Sequence, residues 1–252
     1  MSLHPEILFH FTNMEGLFSI LEHTFTISYA REKIVGKGVT REFGIPMVSF
    51  CDIKLSDLKD HIDKYGNYGI GLNKSWANSQ GLNPVWYVNK DSDFPDRFNS
   101  ALNSLYKHLN SITDPSKHKN FNDNYMNFFE IYRYIKNYEG ELKTAKLNLD
   151  NYRFADEKEW RYVPDIKTTN VLPFVPISRI RTKSDKARYN NSISHLRLDF
   201  KPNDIKYIII KDDSEILTIV NHLKNVKGRF SPDEITQLQT RIITVDQIKK
   251  DM

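Results

Sequence analysis

Two short segments carry the side chains best suited to chemistry, and the first contains a histidine. Phe9-His10-Phe11-Thr12-Asn13 places an imidazole at the end of an apolar run and just before a predicted helix. A histidine there can present its ring to a ligand while Thr12 and the first backbone amides of the helix hold a polar group. The alternative is a structural His10 that is hydrogen-bonded to a neighbouring loop.

The second segment, residues 156–163 (DEKEWRYV), combines acids, bases and aromatics. Strand alternation puts Glu159, Arg161 and Val163 on one face and the two aromatic rings on the other. A carboxylate at the start of a strand beside large aromatics is partly desolvated, which favours a role for Glu159, with Glu157 beside it, in catalysis. The alternative is a surface strip of salt bridges.

A third segment, residues 61–76 (HIDKYGNYGIGLNKSW), is rich in glycine and aromatic residues. Glycines let the backbone approach a ligand, and Tyr65, Tyr68 and Trp76 offer flat faces to an aromatic ring. A tight turn with core aromatics would explain the same pattern.

A basic run at residues 179–188 (RIRTKSDKAR) is predicted to be a loop. Arg179, Arg181, Lys183 and Arg188 would neutralise phosphates, and aromatic residues of the middle region would stack on bases, so single-stranded nucleic acid is a candidate partner. The alternative is a solvated loop beside an ordinary helix pair.

Several other classes of site are disfavoured. Gly69 and Gly71 begin a dinucleotide fingerprint, but its third glycine would fall at Lys74, and a Walker lysine motif is missing. The eight histidines lack ligand spacing, so no metal is implied. The single cysteine, Cys51, excludes a disulfide framework and is read as a small buried hydrophobe.

Composition predicts a globular protein. Of the 252 residues, 39% are hydrophobic and 27% charged, which suits one domain with a buried core. The net charge of +4 is too small to identify a nucleic-acid binder by itself. No apolar stretch approaches the roughly 20 residues of a membrane span, and the N-terminus lacks the pattern of a signal peptide. We therefore expect a cytoplasmic protein without membrane contact.

Short apolar runs alternate with amphipathic segments, which indicates mixed α and β structure. The predicted strands cover residues 6–11, 46–53, 68–72, 85–88, 159–163, 195–200, 206–211 and 241–248. The predicted helices cover residues 14–22, 54–65 and 213–225, and a further helix begins at Ser231. From about residue 94 to 143 the chain has two aromatic helical stripes and no clear strand, which predicts a helix pair. The expected architecture is a single α+β domain, residues 1–252, with a helical insertion at about 94–145.

The order of motifs resembles that of a known family. The chain is similar to the AbiGi-type abortive-infection proteins of bacterial phage resistance. The similarity is carried, in this order, by the segments HFTN…LFSIL, IPMVSFCDIKLSDLKDHIDKYGNYGIGLNKSWA, NPVWYV and EKEWRYVP. The resemblance covers most of the first 165 residues and, more loosely, the later strands. It implies a role in phage defence with a cognate toxin or antitoxin protein as partner, and an antitoxin would need no catalysis.

A wider resemblance concerns the fold. A strand carrying His-x-Thr, then a helix, an aromatic strand and a late strand-opening Glu resemble the ADP-ribosyltransferase fold of DarT-like toxins that modify nucleic acid. This implies a split β core and NAD as substrate, with no metal. The expected NAD contacts are His10, Phe11, Thr12, Phe50, His61, Tyr65, Tyr68 and Arg161.

The resemblance also implies roles. His10 and Thr12 would hold the adenosine ribose, and an aromatic ring (Phe50, Tyr65 or Tyr68) would stack on the nicotinamide. The catalytic carboxylates would be Glu159 and Glu157. Glu159 would bind the nicotinamide ribose and stabilise the positive charge that develops when the glycosidic bond breaks.

Two functions are therefore expected. The first is a mono-ADP-ribosyltransferase-like effector that modifies a macromolecule, most simply RNA or single-stranded DNA. The second is a non-catalytic antitoxin or interaction protein. Transfer chemistry requires His10, an aromatic from 50–68 and Glu159 to line one cleft.

Overall fold

The structure, a computed structural model, describes residues 5–143, 147–226 and 229–251. The strands in these ranges are β1 (Ile7–Thr12), β2 (Phe25–Thr26), β3 (Ser28–Val35), β4 (Thr40–Cys51), β5 (Tyr68–Asn73), β6 (Asn83–Pro84), β7 (Trp86–Val88), β8 (Ile135–Asn137), β9 (Glu139–Lys143), β10 (Asn148–Arg153), β11 (Glu159–Tyr162), β12 (Val175–Pro176), β13 (Arg197–Leu198), β14 (Ile205–Ile210) and β15 (Ile242–Thr244).

The helices of the same ranges are α1 (Met14–His23), α2 (Lys59–Tyr65), α3 (Lys74–Ser79), α4 (Phe94–Ser111), α5 (Pro115–Tyr132), α6 (Ile166–Thr169), α7 (Lys183–Ser192), α8 (Ile216–Asn225), α9 (Pro232–Gln239) and α10 (Val245–Asp251). Short 3₁₀ turns lie at Leu55–Asp57, Phe154–Glu157, Ile177–Arg179, Pro202–Asp204 and Asp213–Glu215.

Nine of the described strands form the main sheet. Its order is β15-β14-β5-β1-β4-β11-β6, with β3 and β12 also paired to β4. Neighbouring strands are antiparallel except for β14 and β15, which are parallel. The long strand β4 therefore connects the two halves of the sheet.

The sheet has a gap beside β4. Strand β3 pairs with β4 up to Met47, whereas β1 pairs with it only at Cys51. Between these two positions the carbonyl of Ser49 is bonded by the side chain of His10 instead of by a strand. The imidazole therefore supplies the donor that a neighbouring strand would otherwise provide at the point where the strands part.

The core follows from strand alternation. Leu8 and Ile70 face the main core, together with buried side chains of α1, α8 and α9, while Phe9 faces a smaller core formed with α2 and α10. A third cluster joins β3 and β4 to the helix pair α4 and α5 through Phe43, Leu102 and other apolar side chains. The insertion is therefore attached to the sheet by its own apolar contacts.

Local signals predict the helix starts correctly. Asn13 caps α1 by accepting a hydrogen bond from the amide of Gly16 at 2.8 Å. Ser231 and Glu234 form a capping box around Pro232 at the start of α9. The helix pair of the insertion is also present, with Asp114 as the cap of α5.

Other expectations about the elements are wrong. The predicted last strand at 241–248 is a three-residue strand followed by α10, because Val245 and Ile248 recur at helical spacing on a buried face. The predicted helix at 54–65 is a 3₁₀ turn followed by α2. The predicted strand at 195–200 forms a ladder only at Arg197–Leu198.

One region lacked a prediction, and the expectation that residues 94–143 hold no strand is wrong. Residues 24–45 contain β2, β3 and the first part of β4, whose mixed charges hide their alternation. The middle region contains β8, β9 and β10 after its helices. The predicted end of the insertion, at about residue 145, lies outside the described residues.

Candidate functional site

The gap beside β4 opens into a cavity of about 180 Å³, which we call the split cavity. Its walls come from β1, β3, β4, α2, β8, the turn Phe154–Glu157 and the start of β11. Side chains that are far apart in sequence, including His10, Tyr65 and Glu159, therefore meet in one place. The segment that contains His10 and the segment that contains Glu159 therefore line the same cavity.

His10 lies at the point where β1 and β4 part. Its Nδ1 donates a hydrogen bond to the carbonyl of Ser49 at 2.8 Å. Burial lowers the pKa of His10, and the Ser49 bond opposes that shift only in part. The imidazole is therefore neutral, with Nδ1 protonated and Nε2 left as an acceptor. Rings of Phe25 and Phe50 flank it at 5.2 and 5.6 Å.

Glu159 opens β11 and is paired with Cys51 of β4. Its side chain is only 6% exposed, and its backbone amide donates to the hydroxyl of Tyr87 at 2.8 Å. Strand alternation places Glu159 and Arg161 on one face, as predicted, and both are buried. The backbone of Glu159 is therefore held by pairing with β4 in the main sheet and does not belong to a loop.

Both carboxylate oxygens of Glu159 are bound by cations. Arg161 donates from Nε to Oε1 at 2.7 Å, and Lys136 donates from Nζ to Oε2 at 2.7 Å. A further contact of 3.3 Å joins Nη2 of Arg161 to Oε2. Charge-assisted bonds of this length are the strong class of hydrogen bond, so Glu159 is held in one orientation.

Glu157 belongs to the same cluster. It is buried in the turn before β11 and accepts a short hydrogen bond from the hydroxyl of Tyr65. Lys136 also approaches it, with 3.2 Å between Nζ and Oε2. Lys136 therefore bridges both of the predicted catalytic carboxylates, and its ammonium lies 4.8 Å from the centre of the Phe154 ring.

Arg161 is fully buried and uses its whole guanidinium. Besides Glu159, it binds the carboxylate of Glu32 at 3.0 Å and the backbone carbonyl of Arg133 at 2.9 Å. This arrangement corrects the expected NAD-binding role, because every nitrogen of the Arg161 side chain already has a protein partner. Its function is to hold two carboxylates.

These five ionised side chains form what we call the ion cluster. Its members are Glu32, Glu157, Glu159, Lys136 and Arg161. Three carboxylates face two cations, which leaves a net charge of −1. Burial alone would raise the pKa of Glu159, but Arg161 and Lys136 outweigh it and hold the pKa at about 2. Burial likewise disfavours the charged form of Lys136, yet the two carboxylates raise its pKa above the usual value.

The aromatic wall of the split cavity contains Phe50, Phe11 and His61. Phe50 is buried against Phe25 and Trp76 in edge-on contacts, so only part of its ring reaches the cavity. The ring of His61 lies 5.0 Å from that of Phe11. Burial lowers the pKa of His61 to about 3, so the imidazole is neutral.

Three predicted ligand contacts lie outside this cavity, the buried Arg161 and two residues of β1 and β5. Thr12 and Tyr68 are paired on β1 and β5, and neither lines it. The hydroxyl of Tyr68 donates to Glu215 at 2.7 Å on the other side of the sheet. Tyr68 packs against the main core and is held by Glu215, so its ring is not part of the cavity wall.

The basic segment is exposed but is not a loop. Arg179 ends a 3₁₀ turn, while Lys183 and Arg188 lie on α7, whose start is capped by Thr182. Arg179, Arg181, Lys183 and Arg188 are all exposed. The capping box at Thr182 and Asp185 explains why this charged stretch becomes helical.

Sequence reasoning missed three residues of the site. Lys136 lies on β8, the strand that leaves the insertion, and Tyr87 lies beside it on β7, the strand that enters it. Glu32 lies on the unpredicted strand β3. Alternation in YAREKIV could have indicated β3, but nothing local links these residues to Glu159.

Cys51 is buried, and burial raises the pKa of its thiol well above the usual value. Within the described ranges, no group of three or more His, Cys, Asp or Glu side chains is placed to hold a metal ion. Along the same ranges, no helix combines the length and the apolar character needed to span a bilayer.

Comparisons with known proteins identify relatives by sequence. The profile of a family described as "Putative abortive phage resistance protein AbiGi, antitoxin" matches residues 19–211. A curated relative from Lactococcus lactis subsp. cremoris, "Abortive phage resistance protein AbiGi", is 29% identical and is covered over 90% of its length by 84% of this chain. No solved structure matches the chain.

The matched segment contains the ion cluster and the whole helical insertion, and it begins after His10. It spans well over half of the chain. The chain therefore belongs to the AbiGi family of abortive phage resistance proteins.

Proposed function

We propose that this protein is the non-catalytic member of a two-component phage-defence system, an antitoxin that acts by binding a partner protein. The family description names an antitoxin. The split cavity contains carboxylates of the kind that catalysts use. Whether their oxygens are free or already bound by cations decides between a catalytic and a structural role.

The state of Glu159 carries this proposal. Arg161 and Lys136 occupy both oxygens at 2.7 Å, and a pKa of about 2 makes the carboxylate a poor proton acceptor. Glycosyl transfer needs an uncompensated negative charge close to the reacting ribose. The ion cluster keeps a net charge of −1, but both oxygens of Glu159 are already bound by cations, so this carboxylate serves best as a structural anchor.

The surface of the insertion supports a binding role. Among the described residues, every exposed aromatic side chain lies between positions 86 and 138: Trp86, Phe94, Tyr106, Phe128 and Tyr138. Aromatic residues dominate the energetic centres of protein interfaces, and clustered exposed apolar groups mark interaction sites. The insertion is therefore the surface on which we place the partner.

Phage plating tests the proposal. The gene is expressed alone and together with its native neighbouring genes, and plaque counts are compared. We expect no growth arrest from the protein alone and fewer plaques only with the neighbours. Trp86→Ala combined with Phe128→Ala should restore plaques without lowering the melting temperature.

Leu217→Ala is the matched control, because Leu217 is 73% exposed on α8 and outside the insertion. It should leave protection unchanged. Growth arrest by the protein alone, relieved by Glu159→Gln, would overturn the antitoxin assignment.

A second candidate function is ADP-ribosyl transfer from NAD on an ADP-ribosyltransferase-like core. It is favoured by one observation: His10, Phe50, Tyr65 and Glu159 come from separate segments and line one cavity. In this reaction the glycosidic bond of NAD breaks, nicotinamide leaves, and the ribose carbon joins a nucleophile of the acceptor. The basic segment at 179–188 would contact a nucleic-acid acceptor.

The cavity must enlarge for this chemistry. About 180 Å³ is below the roughly 300 Å³ at which ligand pockets begin, although a neighbouring hollow of about 280 Å³ shares His10 and Ser49 with it. Lys136 must also leave Glu159. Incubation with labelled NAD and separate RNA, DNA and protein fractions tests this candidate, with Glu159→Gln as the control. Label in no fraction would exclude it.

A further inference from the structure

A second pocket lies between β4 and the two helices of the insertion. Its volume is about 350 Å³, and we call it the insertion pocket. Aromatic rings form most of its wall, including Phe43, Tyr125, Phe129 and Phe174. Its volume lies within the range of ligand pockets, which are mostly lined by apolar and aromatic side chains.

One end of the insertion pocket is polar. Arg41 donates from Nε to the side-chain oxygen of Asn99 at 2.5 Å and from Nη2 to that of Asn103 at 2.7 Å. Both asparagines and Arg41 line the pocket. The two bonds fix the plane of the guanidinium, so its remaining donors point in a set direction.

These donors are not used by the protein. Among the residues that the structure describes, nothing accepts a hydrogen bond from Nη1 of Arg41 or from the amide nitrogens of Asn99 and Asn103. None of these nitrogens is among the buried polar atoms without a partner, which are Asp52 Oδ1 and Arg133 Nε. They are therefore open to a ligand in the pocket.

Arg41 and Glu42 are the charged side chains of the pocket lining. Glu42 pairs with Lys33 at 3.8 Å, whereas Arg41 is hydrogen-bonded to the neutral side chains of Asn99 and Asn103. Burial raises the pKa of Tyr125, and the charge of Arg41 opposes that rise, which is consistent with a cation beside the rings. Arg41 is therefore the one cation at this end without a carboxylate partner among the described residues.

We propose that the insertion pocket binds a small aromatic carboxylate. Its ring lies among Tyr125, Phe129 and the neighbouring aromatic side chains. Its carboxylate accepts hydrogen bonds from Nη1 of Arg41 and from the asparagine amides. One cation with two neutral amides matches a single planar charge better than a doubly charged phosphate.

The charge of the ligand provides a direct test. Indole-3-acetate and its neutral analogue indole-3-acetamide are titrated into the full-length protein by calorimetry or by NMR. The acid should bind saturably and about tenfold more tightly than the amide, the usual gain from a charge-assisted hydrogen bond. Equal affinities would overturn the proposal.

Variants locate the site. Arg41→Gln should lower the affinity for indole-3-acetate to that for indole-3-acetamide. Phe129→Ala should lower the affinity for both compounds. Arg97→Gln is the matched control, because Arg97 is exposed on α4, outside the pocket lining, and pairs with Asp93 at 3.5 Å.

Loss of acid binding in Arg97→Gln, or no saturable binding by the wild type up to about 5 mM, would also refute the site. If Arg41→Gln fails to fold, the ratio of acid to amide affinity in the wild type decides alone. The outcome is independent of whether the protein acts as an antitoxin.

Discussion

The split cavity and the insertion pocket use arginine in opposite ways. In the split cavity Arg161 is fully buried and binds two carboxylates and a carbonyl. In the insertion pocket Arg41 is partly exposed, and its side-chain partners within the described ranges are neutral amide oxygens. One guanidinium is thus committed to the fold, whereas the other keeps donors for a ligand.

The contrast shows why a cluster of reactive residue types is not by itself an active site. The acids at 157 and 159 have the composition of a catalytic pair, yet Lys136 binds both of them, and Tyr65 also donates a hydrogen bond to Glu157. The insertion pocket has no catalytic signature but has unoccupied donors. The two regions differ in whether their hydrogen-bonding groups are free to bind a ligand, and residue type alone does not show this difference.

The largest expected effect is the loss of Arg161. Arg161→Ala would leave Glu159 and Glu32 buried without their main cation, which typically costs about 3–5 kcal/mol. Urea unfolding followed by circular dichroism measures the free energy of unfolding. Arg97→Ala, in an exposed pair, should cost less than about 1 kcal/mol. A similar small loss for Arg161→Ala would show that the ion cluster is not structural.

Acid should weaken the protein through the same cluster. The pKa of Glu159 is about 2 in the folded state and roughly 4.3 when unfolded. Its stabilisation is therefore complete above about pH 4.3 and is lost as the pH falls towards 2, about 3 kcal/mol in all. Unfolding free energies measured from pH 7 to 3 should fall more steeply for the wild type than for Glu159→Gln.

His61 should cause a further decrease in the free energy of unfolding as the pH falls. Its pKa of about 3 lies below the unfolded value of roughly 6.5, so its stabilisation is present above pH 6.5 and fades as the pH falls. His61→Gln should reduce the slope between pH 6.5 and 5 to the part contributed by His10, whose pKa is also lowered, and should leave the steeper loss of stability at lower pH. Identical pH profiles for wild type, Glu159→Gln and His61→Gln would contradict both assignments.

A double-mutant cycle compares the regions directly. Lys136→Met and Glu157→Gln should be coupled by about 2 kcal/mol, because their charges are buried 3.2 Å apart. Arg41→Met and Asn103→Ala, whose contact is partly exposed, should be coupled by about 0.5 kcal/mol. Equal coupling in the two cycles would remove the distinction between a structural cluster and an open pocket.

The smallest expected effect is that of Arg41 on stability. Arg41→Gln should change the free energy of unfolding by less than about 1 kcal/mol, since its partners remain hydrogen-bonded to water or to the new amide. Thermal melting monitors this value. A loss as large as that of Arg161→Ala would mean that Arg41 holds the insertion together.

Prediction from the sequence worked best where the signal is local. The cap at Asn13, the capping box at Ser231 and the two-faced alternation at 159–161 all appear as expected. It worked worst at residues 28–35, where Arg31, Glu32 and Lys33 obscure the alternation of β3. The aromatic stripes of the insertion do not distinguish Phe128, which is exposed, from Phe129, which makes the ring contacts.

The candidate site was partly predictable for the same reason. His10, Tyr65 and Glu159 were identified from the segments that carry them, and they line one cavity. Thr12 and Tyr68 were assigned to the same site but face elsewhere. A strand pattern gives the face of a side chain, but it does not say where neighbouring strands separate.

The amino-acid sequence by itself determined the family, the mixed α and β composition, the helix pair of the insertion and the buried face shared by Glu159 and Arg161. Only the tertiary structure decided that Glu159 is neutralised. Its partner Lys136 comes from 23 residues earlier, on the strand that leaves the insertion, and Glu32 reaches Arg161 across 129 residues. Periodicity along a chain records which side of an element is buried, whereas the pKa and the free donors of a group depend on charges that only folding brings within 3 Å.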